Sequence, residues 1–197
     1  MTGRGRRGAR SLVAGVDEAG RGPLAGPVAA AAVILDPRRV PDGLADSKVL
    51  TPQERERLYE AIKSSAIAVA IAFSGPATID RVNIRMATLD AMRRALAGLA
   101  VRPLSAEIDG RDVPEGLCCM ARAIVDGDAL VPSISAASII AKVARDRLMI
   151  RLGLEFPSYG FERHMGYATP EHRAALAEHG PTPHHRRSFG FVKGFGA

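Results

Sequence analysis

Carboxylates stand where short apolar runs of this chain give out. Leu12 to Val16 leads into the adjacent pair Asp17 and Glu18, Leu104 to Asp109 closes on Asp109-Gly110, and Ala121 to Val125 is followed by Asp126-Gly127-Asp128. Runs of that length bounded by turn residues predict strands. Acids at the strand ends of one sheet can converge on a single crevice. Gathered there, they push one another's pKa upward unless a cation neutralises them. A hard divalent ion such as Mg²⁺ or Mn²⁺ suits an all-oxygen set, whereas no Cys/His set for zinc is present. Paired hard ions activate water and stabilise the leaving oxygen in phosphodiester hydrolysis. Any one of these acids alone would be an ordinary turn residue.

Asp17 and Glu18 pose a geometric problem, because neighbours on a regular strand point to opposite faces. They can share a site only if the strand ends or bends there. Gly20 and Gly22 can take positive φ, so they are expected to supply that bend and to let backbone N–H groups approach a ligand closely. Gly3-Arg4-Gly5-Arg6-Arg7-Gly8 fits a G-x-G-x-x-G pattern literally, but no strand precedes it and no apolar helix follows. Gly20 to Gly26 does follow a strand. Pro23 and Pro27 fit poorly in the helix a dinucleotide fold needs there, and two acids would face the pyrophosphate, so that reading is disfavoured.

The elements that must carry these residues alternate in type. Val28 to Leu35 and Ile67 to Phe73 read as further strands. Thr51-Pro52-Gln53-Glu54 is a capping box with Pro at the first helical position, predicting a helix from Pro52 to about Ser64. Met86, Leu89, Met92, Leu96 and Leu99 are spaced as the buried face of a helix over 84–99, which makes those methionines core. A long Ala- and Ile-rich helix is expected from Ser133 to about Leu154, ended by Pro157, and Thr169-Pro170-Glu171 opens a short one to about Glu178. Strands and helices interleaved in this way predict the α/β class.

The 197 residues, 47% hydrophobic, suffice for one domain over 12–197 behind a disordered basic lead-in at 1–11. With aromatics at only 5% and no Trp, the core must be built from Ala, Val, Ile and Leu. The charge of +6 is uneven: residues 1–10 carry four Arg and no acid, and 184–197 add three more cations, leaving 11–183 near neutral. Basic ends can gather phosphates, and they can equally serve solubility. Cys118 and Cys119 are adjacent, which suits neither a structural disulfide nor a zinc site, so packing in a reducing cytosol is expected. Asp17 and Glu18 cut short the only apolar run near the start before it reaches signal-peptide length, and no membrane span is read elsewhere. A cytoplasmic location follows.

The series from Val13 to Val28 resembles the opening motif of bacterial type II ribonuclease H. Further matches follow in order: Asp46-Ser47-Lys48, Ile108-Asp109-Gly110, Gly127-Asp128, the run Ser135 to Asp146, Tyr159-Gly160-Phe161 with Gly166-Tyr167, and His184 to Phe189. The resemblance implies a ribonuclease H-like fold, a mixed sheet flanked by helices, with a helical C-terminal part forming one wall of the substrate groove. It implies a metal-dependent endonuclease that cuts the RNA strand of RNA–DNA hybrids. It further implies incision 5′ of a single ribonucleotide embedded in duplex DNA, leaving 3′-hydroxyl and 5′-phosphate ends.

By the same match Asp17, Glu18, Asp109 and Asp128 are the catalytic metal-binding carboxylates, for Mg²⁺ or Mn²⁺, two ions with substrate bound. Gly20, Arg21 and Gly22 would read the ribose 2′-OH, Tyr167 would stack on the neighbouring deoxyribose, and Lys48 and Lys142 would lie near substrate phosphates or be plain surface lysines. Two positions depart from the family pattern. Asp126-Gly127-Asp128 stands where the family has Lys-Gly-Asp, and Asp128 is preferred as ligand from its place after Gly127. Met165 stands where a Lys is usual. His184 and His185 are read as supporting the fold. The type III enzyme, which carries an extra N-terminal domain, is disfavoured by the short stretch before Leu12. A hybrid-binding protein without catalysis is the rival from another class, opposed by the presence of all four acids. A monomer is expected, and a sliding clamp is a candidate partner that no motif in the chain specifies.

Overall fold

Ala, Val and Ile dominate the first two strands, and the computed structural model, which describes residues 12–45, 47 and 49–195, shows why small residues are needed there. Val13–Ala19 (β1) and Val28–Ile34 (β2) pair antiparallel, and Ala68–Ser74 (β3) pairs antiparallel with β2. Ser105–Asp109 (β4) and Met120–Ile124 (β5) extend the sheet on the other side by parallel pairing, giving the order β3-β2-β1-β4-β5. The sheet is therefore mixed. Every residue of β2 is buried, because helices cover both of its faces.

Helix α1 (Pro52–Ser65) and the long α4 (Pro132–Glu155) cover one face. There Leu58 and Ile62 meet Ala31, Val33 and the Ala136 to Val143 stretch. Helix α2 (Pro76–Ala97) covers the other through Ala91, Met92, Ala95 and Leu96, packed on Ala14, Val16, Ala30 and Ile108. The approach of α4 is close enough to forbid any side chain at position 15. A Cβ on Gly15 would lie 2.1 Å from the Ser133 carbonyl carbon and 2.3 Å from the Ile134 nitrogen. That contact seats the start of α4 against the first half of β1, two residues before Asp17.

The capping box forms as expected: Thr51 Oγ1 accepts from the Glu54 N–H, and the Thr51 N–H donates to the Glu54 carboxylate at 2.8 Å. Helix α2 begins earlier than the periodicity predicts. Its run from Pro76 breaks at Asn83, which adopts φ 66° and whose Oδ1 accepts from the Met86 N–H, starting the segment that the apolar spacing identified. Met92 is core, but Met86 is 46% exposed, so the expectation that both methionines are buried fails for Met86. It sits in the first turn after the kink, where the apolar face has not yet turned onto the sheet.

The short α3 (Gly127–Leu130) precedes α4. Beyond α4 come a 3-10 turn at Pro157–Tyr159, α5 (Phe161–His164), α6 (Pro170–His179) and α7 (Gly190–Lys193). This helical C-terminal part packs through Phe161, Leu176 and Val192 onto Met149 of α4 and onto Leu24 and Ala25 of the β1–β2 connection. The chain also straps that connection directly, since the Gly26 N–H donates to the His184 carbonyl and the Arg186 N–H to the Leu24 carbonyl, both at 2.8 Å. A loop joining two antiparallel strands cannot open a dinucleotide-binding helix, so the Rossmann reading of Gly20 to Gly26 is excluded. The expected lead-in at 1–11 lies outside the described residues. Among them, no helix is long and apolar enough to cross a membrane.

Candidate active site

The strand carrying Asp17 and Glu18 neither ends nor bends at them, contrary to the expectation from the glycines. β1 runs on to Ala19, with Asp17 opposite Ala31 and Glu18 opposite Ala30 on β2. Ala31 belongs to the core under α4 and Ala30 to the core under α2, so the two acids do point to opposite faces of the sheet. They share a site because β1 loses its other neighbour. Its parallel pairing with β4 stops at Val16 opposite Ile108, and β1 runs on to Ala19 with no pairing to β4. Asp109, the last residue of β4, stands in the gap, where carboxylates from either face of β1 can reach it. Ligand oxygens of Asp17, Glu18 and Asp109 all lie within 4.8 Å of one another.

Burial and mutual repulsion act together on this group. Burial, then the charges of Glu18 and Asp109, hold the Asp17 carboxyl well above the usual carboxylate range, only partly offset by the Glu18 N–H and the Ser138 hydroxyl. Glu18 is raised mainly by burial and less by Asp109, with Arg21 pulling the other way through a 3.4 Å contact. Asp109 is oriented from behind: its Oδ1 accepts the Gly127 N–H at 2.8 Å and the Asp128 N–H at 3.4 Å. Such an all-oxygen, partly buried and mutually repelling set fits a hard divalent cation.

Asp128 is not one of the three clustered carboxylates. Its backbone reaches Asp109, it is buried, and its carbonyl accepts from the Ser135 hydroxyl at 2.6 Å, so it lies next to the cluster in the first turn of α3. Asp126 is exposed and takes φ 54°, a left-handed conformation that turns the chain into α3. Of the two aspartates, the buried one beside Asp109 is Asp128.

A cavity of about 260 Å³ opens at the carboxylates on the α4 side, lined among others by Asp17, Gly20, Gly22, Lys142 and Tyr167. Lys142 pairs with Asp146 at 2.9 Å along α4. Lys48 lies outside the described residues. Tyr167 is 47% exposed, and its ring lies 3.6 Å from where a Cβ on Gly22 would sit, so the expected turn and the expected aromatic are adjacent. Gly20 takes φ +92° as expected, whereas Gly22 is not among the glycines with positive φ. The turn therefore follows the acids and shapes the wall beside them. Glu18 and Asp109 also face a smaller cleft of about 60 Å³ on the α2 side, with Arg21, Arg85 and Arg111.

Two fully buried arginines hold this wall, and sequence reasoning assigned neither a role. Arg186 donates from Nε to the Gly26 carbonyl at 2.9 Å and from its terminal nitrogens to those of Arg21 at 2.8 Å and Gly20 at 2.5 Å. Arg145 of α4 donates to the carbonyls of Pro27 at 2.9 Å, Ala25 at 3.1 Å and Met165 at 3.0 Å. Burial lowers the pKa of Arg145 to about 10 and that of Arg186 to about 9, which leaves both charged at neutral pH. A signal for Arg145 was present: it falls on the same helical stripe as Ser138, Ala141, Met149 and Leu152, all buried. An arginine on a buried stripe has to find acceptors inside.

With this geometry established, comparison with known proteins gives one answer. The family model described as Ribonuclease HII matches residues 14–192. Ribonuclease HII of Burkholderia thailandensis is 59% identical over 182 residues, covering 92% of this chain and 85% of that protein. Ribonuclease HII of Xanthobacter autotrophicus is 61% identical over 184 residues, covering 93% of this chain and 73% of that one. The crystal structure of ribonuclease H2 from Pyrococcus horikoshii superposes with a TM-score of 0.81 at 30% identity, covering 93% of this chain and 96% of the other.

Proposed function

The chain belongs to the ribonuclease HII family and is an endonuclease that hydrolyses the RNA strand of RNA–DNA hybrids; on that premise we propose that it also incises duplex DNA 5′ of a single embedded ribonucleotide, using Asp17, Glu18, Asp109 and Asp128. The observation that carries this reading is the meeting of three carboxylates within 4.8 Å in the gap between β1 and β4, beside the Gly20 turn and Tyr167. Asp17, Glu18 and Asp109 would hold Mg²⁺ or Mn²⁺, with Asp128 completing the set once two ions and substrate are present. Bound there, the metal would supply the positive charge that helps water lose a proton and offsets charge on the departing oxygen.

The rest is done by the chain. Water adds to phosphorus, the bond from phosphorus to the upstream 3′-oxygen breaks, and that oxygen takes up a proton, leaving a 3′-hydroxyl and a 5′-phosphate. The carboxylates fix where this occurs. The backbone of Gly20-Arg21-Gly22, held from below by Arg186, lies where it can inspect a 2′-OH, the group that distinguishes RNA from DNA. Tyr167 packs on the adjoining sugar, and Lys142, with Lys48 by the resemblance alone, serves the backbone phosphates. We further propose that the enzyme acts as a monomer in the cytoplasm.

The test is to incubate the protein with duplex DNA carrying one ribonucleotide, with Mg²⁺ or Mn²⁺, beside an Asp17→Asn control and a chelator control. Incision 5′ of the ribonucleotide that vanishes in both controls is expected. Incision surviving in Asp17→Asn would overturn the metal assignment, and cleavage of long hybrids without incision at the single ribonucleotide would overturn the junction reading.

A further inference from the structure

Tyr167 owes its place to its backbone. The ring is 47% exposed, and it follows two residues with positive φ, Met165 at 51° and Gly166 at 80°. A left-handed Met is disfavoured by roughly 1–2 kcal/mol and persists only where the surroundings over-determine it. They do so here. Arg145 holds the Met165 carbonyl, the Leu24 N–H donates to the Gly166 carbonyl, and a Cβ on Gly166 would lie 2.6 Å from the Ala25 carbonyl oxygen. The remaining hold comes from histidines.

His164, His172 and His185 form a buried cluster under this turn, and their hydrogen bonds permit one arrangement of protons. The Thr182 N–H donates to His185 Nδ1 at 2.9 Å, so that nitrogen is a bare acceptor and the ring proton sits on Nε2. His185 Nε2 faces His172 Nε2 at 3.0 Å, so His172 must accept there and carry its proton on Nδ1. His172 Nδ1 then donates to the Tyr167 carbonyl at 2.8 Å. On the other side the Gly166 N–H donates to His164 Nδ1 at 3.2 Å, which puts the His164 proton on Nε2, directed at the Tyr159 carbonyl at 2.8 Å. His164 and His172 stack with centroids 4.6 Å apart. Three neutral rings in fixed tautomers thus run from Thr182 to the peptide groups of residues 166 and 167.

We propose that His172 is a positioning residue for Tyr167: its Nδ1–H, locked in that tautomer by His185, holds the Tyr167 carbonyl and so sets the ring beside the Gly20–Gly22 turn. This rests on the reading of Tyr167 as the residue that packs on the substrate sugar. Helix α6 places His172 for the task, because Thr169 caps the helix by accepting the His172 N–H and so fixes the residue three positions on from the cap.

Two measurements test it. The first needs no mutation: nitrogen-15 imidazole spectra of the whole protein at neutral pH should show His172 protonated on Nδ1 alone and His185 on Nε2 alone. His172 carrying its proton on Nε2, or charged, would overturn the proposal. The second compares His172→Phe, which fills the ring space without a donor, with His172→Asn, whose amide can still donate from the Nδ1 position. On duplex DNA with one ribonucleotide, His172→Phe should raise KM about tenfold with kcat changed far less, and His172→Asn should recover most of the loss. Equal loss in both variants, or a fall in kcat at unchanged KM, would mean a merely structural role. Tyr167→Ala separates the two layers: if it leaves KM unaltered, the reading of Tyr167 fails and the inference with it. If it raises KM while His172→Phe does not, the inference alone is refuted.

Discussion

Replacing Asp17 by Asn should abolish cleavage and at the same time make the metal-free protein more stable. The three clustered carboxylates have ligand oxygens within 4.8 Å of one another, and Asp17 takes part in two of the three pairs. At an effective dielectric of about 20, two unit charges at that separation repel by about 3.5 kcal/mol, so full ionisation would place about 7 kcal/mol of repulsion on Asp17. The protein evades much of this. The Asp17 carboxyl titrates well above the usual range, and Arg21 lies 3.4 Å from Glu18. Asn keeps the shape and an oxygen able to accept the Glu18 N–H, which bonds Asp17 at 2.7 Å. A residual gain of about 1–3 kcal/mol is therefore expected, or roughly 3–10 °C in the melting temperature of a chain this size. A ligand at 100 times its Kd stabilises by about 2.7 kcal/mol, and Asp17→Asn should lose most of that response to Mn²⁺ or Mg²⁺. Differential scanning calorimetry with chelator and then with metal reads both effects. The electrostatic account is refuted if Asp17→Asn melts at or below the wild type without metal, or keeps the full metal shift.

Three more outcomes follow from particular residues. Asp128→Asn should depress kcat far more than Asp126→Asn, since Asp128 is buried beside Asp109 whereas Asp126 is exposed in a left-handed conformation that Asn tolerates well; the reverse order in single-turnover assays would relocate the fourth ligand. Gly20→Ala should lose about 2–4 kcal/mol and most activity, because its Cβ would lie 1.9 Å from Nε of the buried Arg145 at a backbone φ of +92°; an unchanged urea midpoint contradicts this. Acid should destabilise the protein through His185, whose pKa burial lowers to about 4, with His172 lowered in the same sense. Between the ordinary value near 6.5 and that lowered one, the unfolded chain binds more protons than the native state, so stability falls as pH falls through this window, by up to about 3 kcal/mol. The raised pKa values of Asp17 and Glu18 act in the opposite direction in both proteins, so the measurement is the difference in slope between wild type and His185→Gln, with equal slopes counting against the assignment.

The parts legible in the sequence were those set by local rules. The capping box at Thr51, the Pro starts of α1 and α6, the start of α4 one residue from the expected Ser133, and the last four strand runs depend on nearby residues and came out within a residue or two, whereas β1 runs three residues beyond the expected end at Val16. The α2 start was missed because the kink at Asn83 hid a helical segment that the apolar spacing does not cover. The acids were found, but the reason they meet was not. A glycine bend was inferred because both strands could be read but not their pairing, whereas the cause is the end of β1–β4 pairing at Val16, a property of two strands about 90 residues apart.

The same distinction explains why the reach of the site was underread. Asp17, Glu18 and Asp109 announce themselves by charge at strand ends, but the groups that hold the recognition wall are cations and imidazoles whose partners are main-chain carbonyls. Arg145 meets Pro27 across 118 residues and Arg186 meets Gly20 across 166. A carbonyl has no letter in the sequence, so no pairing pattern could reveal these contacts. Burying a guanidinium against carbonyls alone is costly unless all are satisfied, and the three bonds each arginine makes explain how it is offset. The consequence is mechanical: the loop beside the carboxylates and the turn carrying Tyr167 share Arg145, through Pro27 and Ala25 on one side and Met165 on the other. A change at either should be felt at the other, so the catalytic carboxylates and the groups proposed to choose the cleavage position are held in one frame.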